Sequence, residues 1–131
     1  MYERVTEGIR VSVEPSFLED QSDPRSGRFM WAYRVRIHNG AETAVQVRTR
    51  HWKITDSWGR TEEVRGEGVV GEQPVIAPGE AFEYTSGAPL PTPSGLMVGR
   101  YGVEWVGTGA KFEIDIPAFS LDSPHDVRRV H

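Results

Sequence analysis

Residues 29–39 read FMWAYRVRIHN, and apolar and polar side chains alternate through this stretch with a period of two. Its apolar positions are Phe29, Trp31, Tyr33, Val35 and Ile37. A strand with one face in a core produces this alternation, whereas an amphipathic helix repeats apolar positions every three or four residues. Residues 8–15, GIRVSVEP, alternate in the same way. The chain is therefore predicted to consist of half-buried antiparallel strands.

Residues 44–56, AVQVRTRHWKITD, predict a strand with an irregularity inside it. Val47 falls on the apolar side near its start, but Trp52 near its end has the opposite parity. A β-bulge adds one residue to a strand and reverses the alternation beyond it. The sequence therefore predicts a bulge near Arg50 and His51.

Turn-forming residues divide the rest of the chain into further short segments. A polar strand is predicted over residues 61–65, two strands on either side of Pro78-Gly79, and a closing hairpin over residues 96–119. Residues 88–95, APLPTPSG, are predicted to be a connection or a sheet edge, because proline cannot donate to a β-ladder.

About seven short strands in a chain of 131 residues predict an all-β fold. No stretch of ten or more residues shows a helical period with caps, so we expect an antiparallel β-sandwich of the immunoglobulin or fibronectin type III kind. Residues 1–124 are expected to form a single domain, and residues 125–131 a mobile C-terminal tail.

Composition narrows the functional classes. The formal net charge of −4 does not favour nucleic acid as a partner, and the lack of cysteine excludes thiolate zinc sites, iron–sulfur clusters and a cysteine nucleophile. The first residues, MYERVTEGIRVSVEP, contain no apolar signal core, and no window approaches the roughly 18 apolar residues of a membrane span. We therefore expect a cytoplasmic protein with no membrane partner.

Three longer strings carry a family resemblance. They are RHWKITDSWGRTEEVRGEGVVGEQPVIAPGE, FEYTSGAPLPTPSGLMVGRYGVEW and FEIDIPAFSL. Their shared order resembles the ApaG family of small bacterial proteins, also called CorD, over about residues 5–121. The resemblance implies a fibronectin type III-like sandwich that serves as an interaction module in larger eukaryotic proteins. It also implies a link to cobalt resistance and magnesium efflux, and it supplies no enzymatic mechanism.

Residues 65–74, RGEGVVGEQP, contain the spacing G-x-G-x-x-G at Gly66, Gly68 and Gly71. A dinucleotide site needs a buried strand before the first glycine and a helix after the third. The preceding RTEEV is polar, and two prolines at positions 74 and 78 exclude such a helix. Two interpretations stay open: a glycine-hinged loop between strands, or a non-helical nest of backbone amides that binds an anion beside Arg65.

Basic side chains are predicted to form two separate solvated stripes. Arg34, Arg36 and His38 share a face of one strand, and Arg48 and Arg50 are predicted to share a face of the next. We expect these two strands to belong to opposite sheets, as in immunoglobulin topology.

Metal and catalytic sites have little support in the sequence, and we expect no cofactor. The histidines are His38, His51, His125 and His131. None is spaced as a local metal pair, although Glu113 and Asp115 share a strand face. Ser86 lacks the G-x-S-x-G context of a nucleophile, and adjacent Glu62 and Glu63 face opposite ways in a strand.

Trp58 precedes a glycine in a polar turn and is a candidate partner-binding residue. The predicted function is a non-enzymatic protein-binding module whose surface combines loop 65–74, turn 56–60 and connection 85–95. The alternative is a protein that binds a small anion or a nucleotide polyphosphate such as pyrophosphate through Arg65, Gly66, Gly68 and Gly71. Exposed edge strands predict a monomer or a weak homodimer.

Overall fold

The computed structural model describes residues 1–126, and it contains nine β-strands. They are β1 Tyr2–Thr6, β2 Ile9–Phe17, β3 Phe29–Asn39, β4 Val45–Asp56, β5 Thr61–Glu67, β6 Val75–Ile76, β7 Ala81–Leu90, β8 Gly95–Trp105 and β9 Lys111–Leu121. Two single 3-10 turns, Glu19–Gln21 and Pro24–Ser26, lie between β2 and β3. Within residues 1–126 there is no α-helix.

The strands form two antiparallel sheets that pack as a sandwich. The first sheet has the order β1-β2-β3-β7, and the second has the order β5-β4-β8-β9, with β6 pairing with β4. In immunoglobulin lettering, β2, β3 and β7 are strands A, B and E, and β5, β4, β8 and β9 are C′, C, F and G. This is the fibronectin type III arrangement, with β1 added at one edge. The predicted all-β sandwich is confirmed.

The inward faces of both sheets supply one continuous core. The alternation predicted for β3 is confirmed, since all five of its apolar positions are buried. Trp31 is 1% exposed, and its indole N–H donates to the Asp122 carbonyl at 2.8 Å. Trp52 of the second sheet packs edge-on against Tyr33 of the first and against Phe119. Aromatic rings therefore join the two sheets.

The bulge in β4 lies between Val47 and Thr49, so its predicted position near Arg50 and His51 was wrong. The extra residue reverses the alternation before Arg50 rather than after it. Arg48 consequently lies outside the sandwich, whereas Arg50 shares the inner side with Trp52. The prediction that the two arginines share a face was wrong. That β3 and β4 belong to opposite sheets is confirmed.

The proline-rich segment is divided between an edge and a connection. Residues 88–90 belong to β7, which is the edge of the first sheet, and residues 91–94 cross to β8. At the C-terminus, His125 Nε2 lies 3.0 Å from Glu19 Oε1. Residues 127–131 lie outside the described residues, so the predicted mobile tail stays a prediction.

Candidate functional site

The glycine-rich stretch contains a tight hairpin. The Val69 amide donates to the Glu72 carbonyl at 2.7 Å, and the Glu72 amide donates back to the Val69 carbonyl at 2.9 Å. Between them, Val70 has a φ of 44° and Gly71 a φ of 80°. Two successive residues with positive φ form the type I′ turn that suits the twist of a hairpin. An exposed β-branched residue in this conformation is unusual, and it places the Val70 side chain at the tip.

The other two glycines of the motif have separate structural reasons. Gly68 donates its amide to the Arg48 carbonyl at 2.7 Å, and a Cβ there would lie 2.2 Å from the Glu72 carbonyl oxygen. Gly66 lies opposite Arg50 in the ladder, where a Cβ would come within 2.8 Å of the guanidinium. The spacing G-x-G-x-x-G thus serves a close backbone approach, the passage of an arginine side chain and a turn.

Arg65, the predicted anion-binding side chain, lies on the outer side of β5. Its side chain is 72% exposed, and Nη2 lies 3.2 Å from Glu63 Oε2. Residues 68–74 continue into β6 rather than into a helix. Two amides of the predicted nest, those of Gly68 and Val69, already donate to backbone carbonyls. Anion binding by Arg65 and this loop stays a prediction.

A cleft of about 310 Å³ opens between β5 and β7, the edge strands of the two sheets on this side. Arg50 lies in this cleft, half-buried, beside Tyr33 and Tyr84. Its Nη1 donates to the carbonyl oxygens of Glu67 at 2.9 Å and Gly68 at 3.0 Å. The guanidinium therefore anchors the glycine-rich stretch from the side of the cleft.

Tyrosine hydroxyls gather around this guanidinium. Tyr84 and Tyr101 form a hydrogen bond with each other, and Ser86 forms a side-chain hydrogen bond with Tyr33. Burial raises the pKa of Tyr33 and Tyr84 and raises that of Tyr101 well above its ordinary value. These phenols are neutral over the physiological pH range and can donate hydrogen bonds.

Trp58 lies at the opposite end of β5 from the glycine-rich stretch. Thr61 pairs with Thr55 at one end of the β4–β5 ladder, and Glu67 pairs with Thr49 at the other. Six residues of strand separate these ends by about 20 Å. The prediction that Trp58 lies near loop 65–74 was wrong, because the strand between them is fully extended. Turn 56–60 instead contacts residues 91–94, where the Ser57 amide donates to Thr92 Oγ1 at 3.1 Å.

The remaining candidate residues are ion-paired or separated. Glu113 lies 3.1 Å from Arg100 and Asp115 lies 3.1 Å from Arg4, so arginine is the partner of both carboxylates. No group of three metal-ligating side chains occurs within the part of the chain that the structure describes. His131 lies outside that part.

The positions weighed for catalysis do not converge. His51 Nε2 lies 3.1 Å from Glu63 Oε2 on the outer side of the second sheet, whereas Ser86 lines the cleft. Glu62 also lines the cleft, so the prediction that Glu62 and Glu63 face opposite ways is confirmed. The cleft was not predicted from the sequence. The available signal was that Arg50 lies two residues before Trp52, so that both side chains point to the same face of a regular strand.

The fold and these surfaces define a small fibronectin type III-like domain with exposed loops and an open edge. The ApaG domain model matches residues 19–105 of the chain. The chain therefore belongs to the ApaG family, as its sequence resemblance predicts. Residues 1–126 include no helix long and apolar enough to cross a membrane.

Relatives match the chain over nearly its whole length. Protein ApaG of Rhodospirillum centenum is 64% identical over 125 residues, which are 95% of each chain. Protein ApaG of Rhodopseudomonas palustris strain TIE-1 is 59% identical over 131 residues, covering both chains completely. A crystal structure of the ApaA protein from Bordetella pertussis superimposes with a TM-score of 0.86 at 50% identity, covering 90% of this chain and 95% of that one.

Proposed function

We propose that this chain is a non-enzymatic, cytoplasmic protein-binding module and that Trp58 is the centre of its recognition surface. The observation that supports this proposal is a large indole, 63% exposed, at the tip of a rigid turn. Exposed tryptophans that are held in place contribute more binding free energy than most interface residues. The recognition surface comprises residues 56–60 and 91–94.

The turn is fixed by hydrogen bonds that do not involve the indole. Asp56, 8% exposed, accepts the Trp58 amide at 2.9 Å and the Arg60 amide at 3.0 Å through Oδ1. The Ser57 amide donates to Thr92 Oγ1 at 3.1 Å, which ties the turn to the connection. A surface that is already ordered loses little conformational entropy when a partner binds.

Arg60 supports the indole from its own side of the turn. The Arg60 guanidinium carbon lies 4.8 Å from the Trp58 ring centroid, within cation–π range. The stacked pair presents an aromatic ring together with a positive charge. We propose that the partner supplies an apolar pocket for the ring and a carboxylate or a carbonyl for Arg60.

The family link to cobalt resistance and magnesium efflux fits this proposal through the partner. Glu113 and Asp115, the carboxylates considered for a cation, already have arginine partners. We therefore propose that this module affects divalent cations by binding a protein that handles them. The alternative function, phosphate binding at residues 65–74, has less support because two of that loop's amides donate to carbonyls.

Quantitative capture from the native organism tests the proposal. The wild-type chain, Trp58→Ala and Val106→Ala are used as baits, since Val106 is 49% exposed in the turn at the other end of the sandwich. Trp58→Ala is expected to weaken binding of the specific partner at least about thirtyfold, whereas Val106→Ala leaves it unchanged. Equal recovery by wild type and Trp58→Ala would refute the proposal.

A further inference from the structure

The cleft between β5 and β7 contains a cation without a carboxylate partner. Arginines on the outer faces are ion-paired, as in Arg34 with Glu83 at 2.7 Å and Arg48 with Glu104 at 3.3 Å. Within residues 1–126, no carboxylate lies within 4.0 Å of the Arg50 guanidinium. Its Nη1 contacts two carbonyl oxygens, which supply only partial negative charge. A half-buried guanidinium without a carboxylate partner favours the binding of an anion.

Neutral hydroxyl groups lie beside the same guanidinium. Tyr33, Tyr84 and Ser86 all line the cleft with Arg50. Phenol and serine hydroxyls donate hydrogen bonds to a carboxylate without adding charge. Each of the pairs Tyr84–Tyr101 and Tyr33–Ser86 uses one hydroxyl proton internally and keeps one. The inner part of the cleft therefore offers a guanidinium and the remaining hydroxyl donors to a single anionic group.

Most of the remaining side chains in the cleft are apolar, and the cleft is sized for a small molecule. Side chains from both sheets form its walls, among them Trp52, Ile54, Val64 and Ala88, and Val70 of the hairpin contributes at the tip. A volume of about 310 Å³ lies at the lower end of the range of small-molecule sites. Such walls fit a compact hydrocarbon or aromatic group.

Charge disfavours a ligand with several negative charges. Glu62 lines the same cleft as Arg50 without forming an ion pair with it, so such a ligand would meet a carboxylate as well as the one guanidinium. A polyphosphate with several negative charges would be repelled by Glu62 and would find a single guanidinium to pair with. A carboxylate matches one guanidinium fork in both charge and geometry.

We propose that this cleft binds a small apolar monocarboxylate, with the carboxylate on Arg50 and the apolar group against Trp52. This site is distinct from the Trp58 surface and does not depend on the protein-binding proposal. It is also distinct from the outer residue Arg65 and from the amides of the glycine-rich loop.

A nuclear magnetic resonance titration of the full chain with phenylacetate tests the site. Saturable shifts are expected at the Arg50 side chain and at the amides of Tyr84 and Ser86, with a dissociation constant near or below about 1 mM. Two other probes are expected to bind at least about tenfold more weakly than phenylacetate. Benzyl alcohol lacks the negative charge, and inorganic pyrophosphate has several negative charges. Tighter binding of pyrophosphate at these amides would overturn the proposal.

Variants assign the binding to particular side chains. Arg50→Gln is expected to weaken phenylacetate binding about tenfold or more, and Glu62→Gln to strengthen it about two- to threefold. Arg65→Gln is the matched control, because it removes a guanidinium from the outer side of β5, and it should leave the affinity unchanged.

Arg50 also anchors the glycine-rich stretch, so Arg50→Gln could fail to fold. In that case the comparison of Glu62→Gln with Arg65→Gln tests the site, because both positions are exposed and these variants should fold. No change in Glu62→Gln, or an equal change in both variants, would overturn the site. Trp58→Ala should bind phenylacetate as wild type does, which separates this test from that of the protein-binding surface.

Discussion

Gly68→Ala is predicted to be the most damaging alanine substitution in the G-x-G-x-x-G stretch. A Cβ at this position would lie 2.2 Å from the Glu72 carbonyl oxygen and 2.9 Å from its carbon, and both atoms belong to the backbone of the hairpin. The φ of 64° adds a conformational cost for any residue with a side chain. The hairpin must therefore move as a unit to admit a methyl group.

The magnitude follows from these two contributions. A left-handed conformation costs alanine about 1–2 kcal/mol, and a steric clash that forces a backbone shift costs about 1–3 kcal/mol. Gly68→Ala should therefore lower the free energy of unfolding by about 2–5 kcal/mol, a large fraction of the stability of a typical domain. Gly71→Ala is the matched control, because its φ is 80° but an added Cβ would meet nothing within 4 Å. It should cost only about 1–2 kcal/mol.

Urea denaturation of both variants, followed by circular dichroism, measures the difference directly. Gly66→Ala should also cost less than Gly68→Ala, since the φ of Gly66 is not positive and its methyl group meets the flexible end of Arg50 rather than backbone. If Gly68→Ala were no more destabilising than Gly71→Ala, the close approach to Glu72 would not be the reason for the glycine. The structural account of the loop would then be refuted.

Two further predictions concern the core and the outer face. Trp31→Phe removes the indole donor to the Asp122 carbonyl and part of a buried ring. Denaturation should show that it lowers the free energy of unfolding by about 1–3 kcal/mol. Trp58→Phe, at an exposed position, should lower it by less than about 0.5 kcal/mol. A hydrogen bond from His51, and a smaller effect of one from Arg65, lower the pKa of Glu63. The contribution of these bonds to folding stability is present above the pKa of Glu63 in the unfolded chain and is lost as pH falls through its pKa in the folded protein. A carboxyl NMR titration should show this pKa rising in His51→Ala, and an unchanged value would contradict the assignment.

Alternation predicted the central strands because each has one buried and one wet face. β3 follows the pattern along its whole length, and it is paired on both sides by β2 and β7. β1 was not predicted because it has no continuous buried face: the three middle residues, Glu3, Arg4 and Val5, are all exposed. Its position is set by pairing with β2, which a pattern within five residues cannot reveal.

The site was harder to predict because its residues are brought together by both sheets. The change of phase in β4 was visible, but any position between Val47 and Trp52 could accommodate the extra residue. The prediction placed the bulge near Arg50 and His51 instead of between Val47 and Thr49, and this put Arg50 on the outer face. The cleft that Arg50 shares with Tyr33 and Tyr84 was therefore not predicted. The exposure of Trp58 could be predicted because a tryptophan beside a glycine in a polar turn is a local signal.

In-cell photocrosslinking tests the proposed recognition surface most directly. A photoreactive phenylalanine analogue replaces exposed Pro91, beside the Trp58 turn, or exposed Thr108, in the turn at the other end of the sandwich. We predict discrete protein adducts from position 91 that disappear when Trp58→Ala is added, and none of these adducts from position 108. Adducts from position 91 that persist in Trp58→Ala, or the same adducts from position 108, would contradict the account.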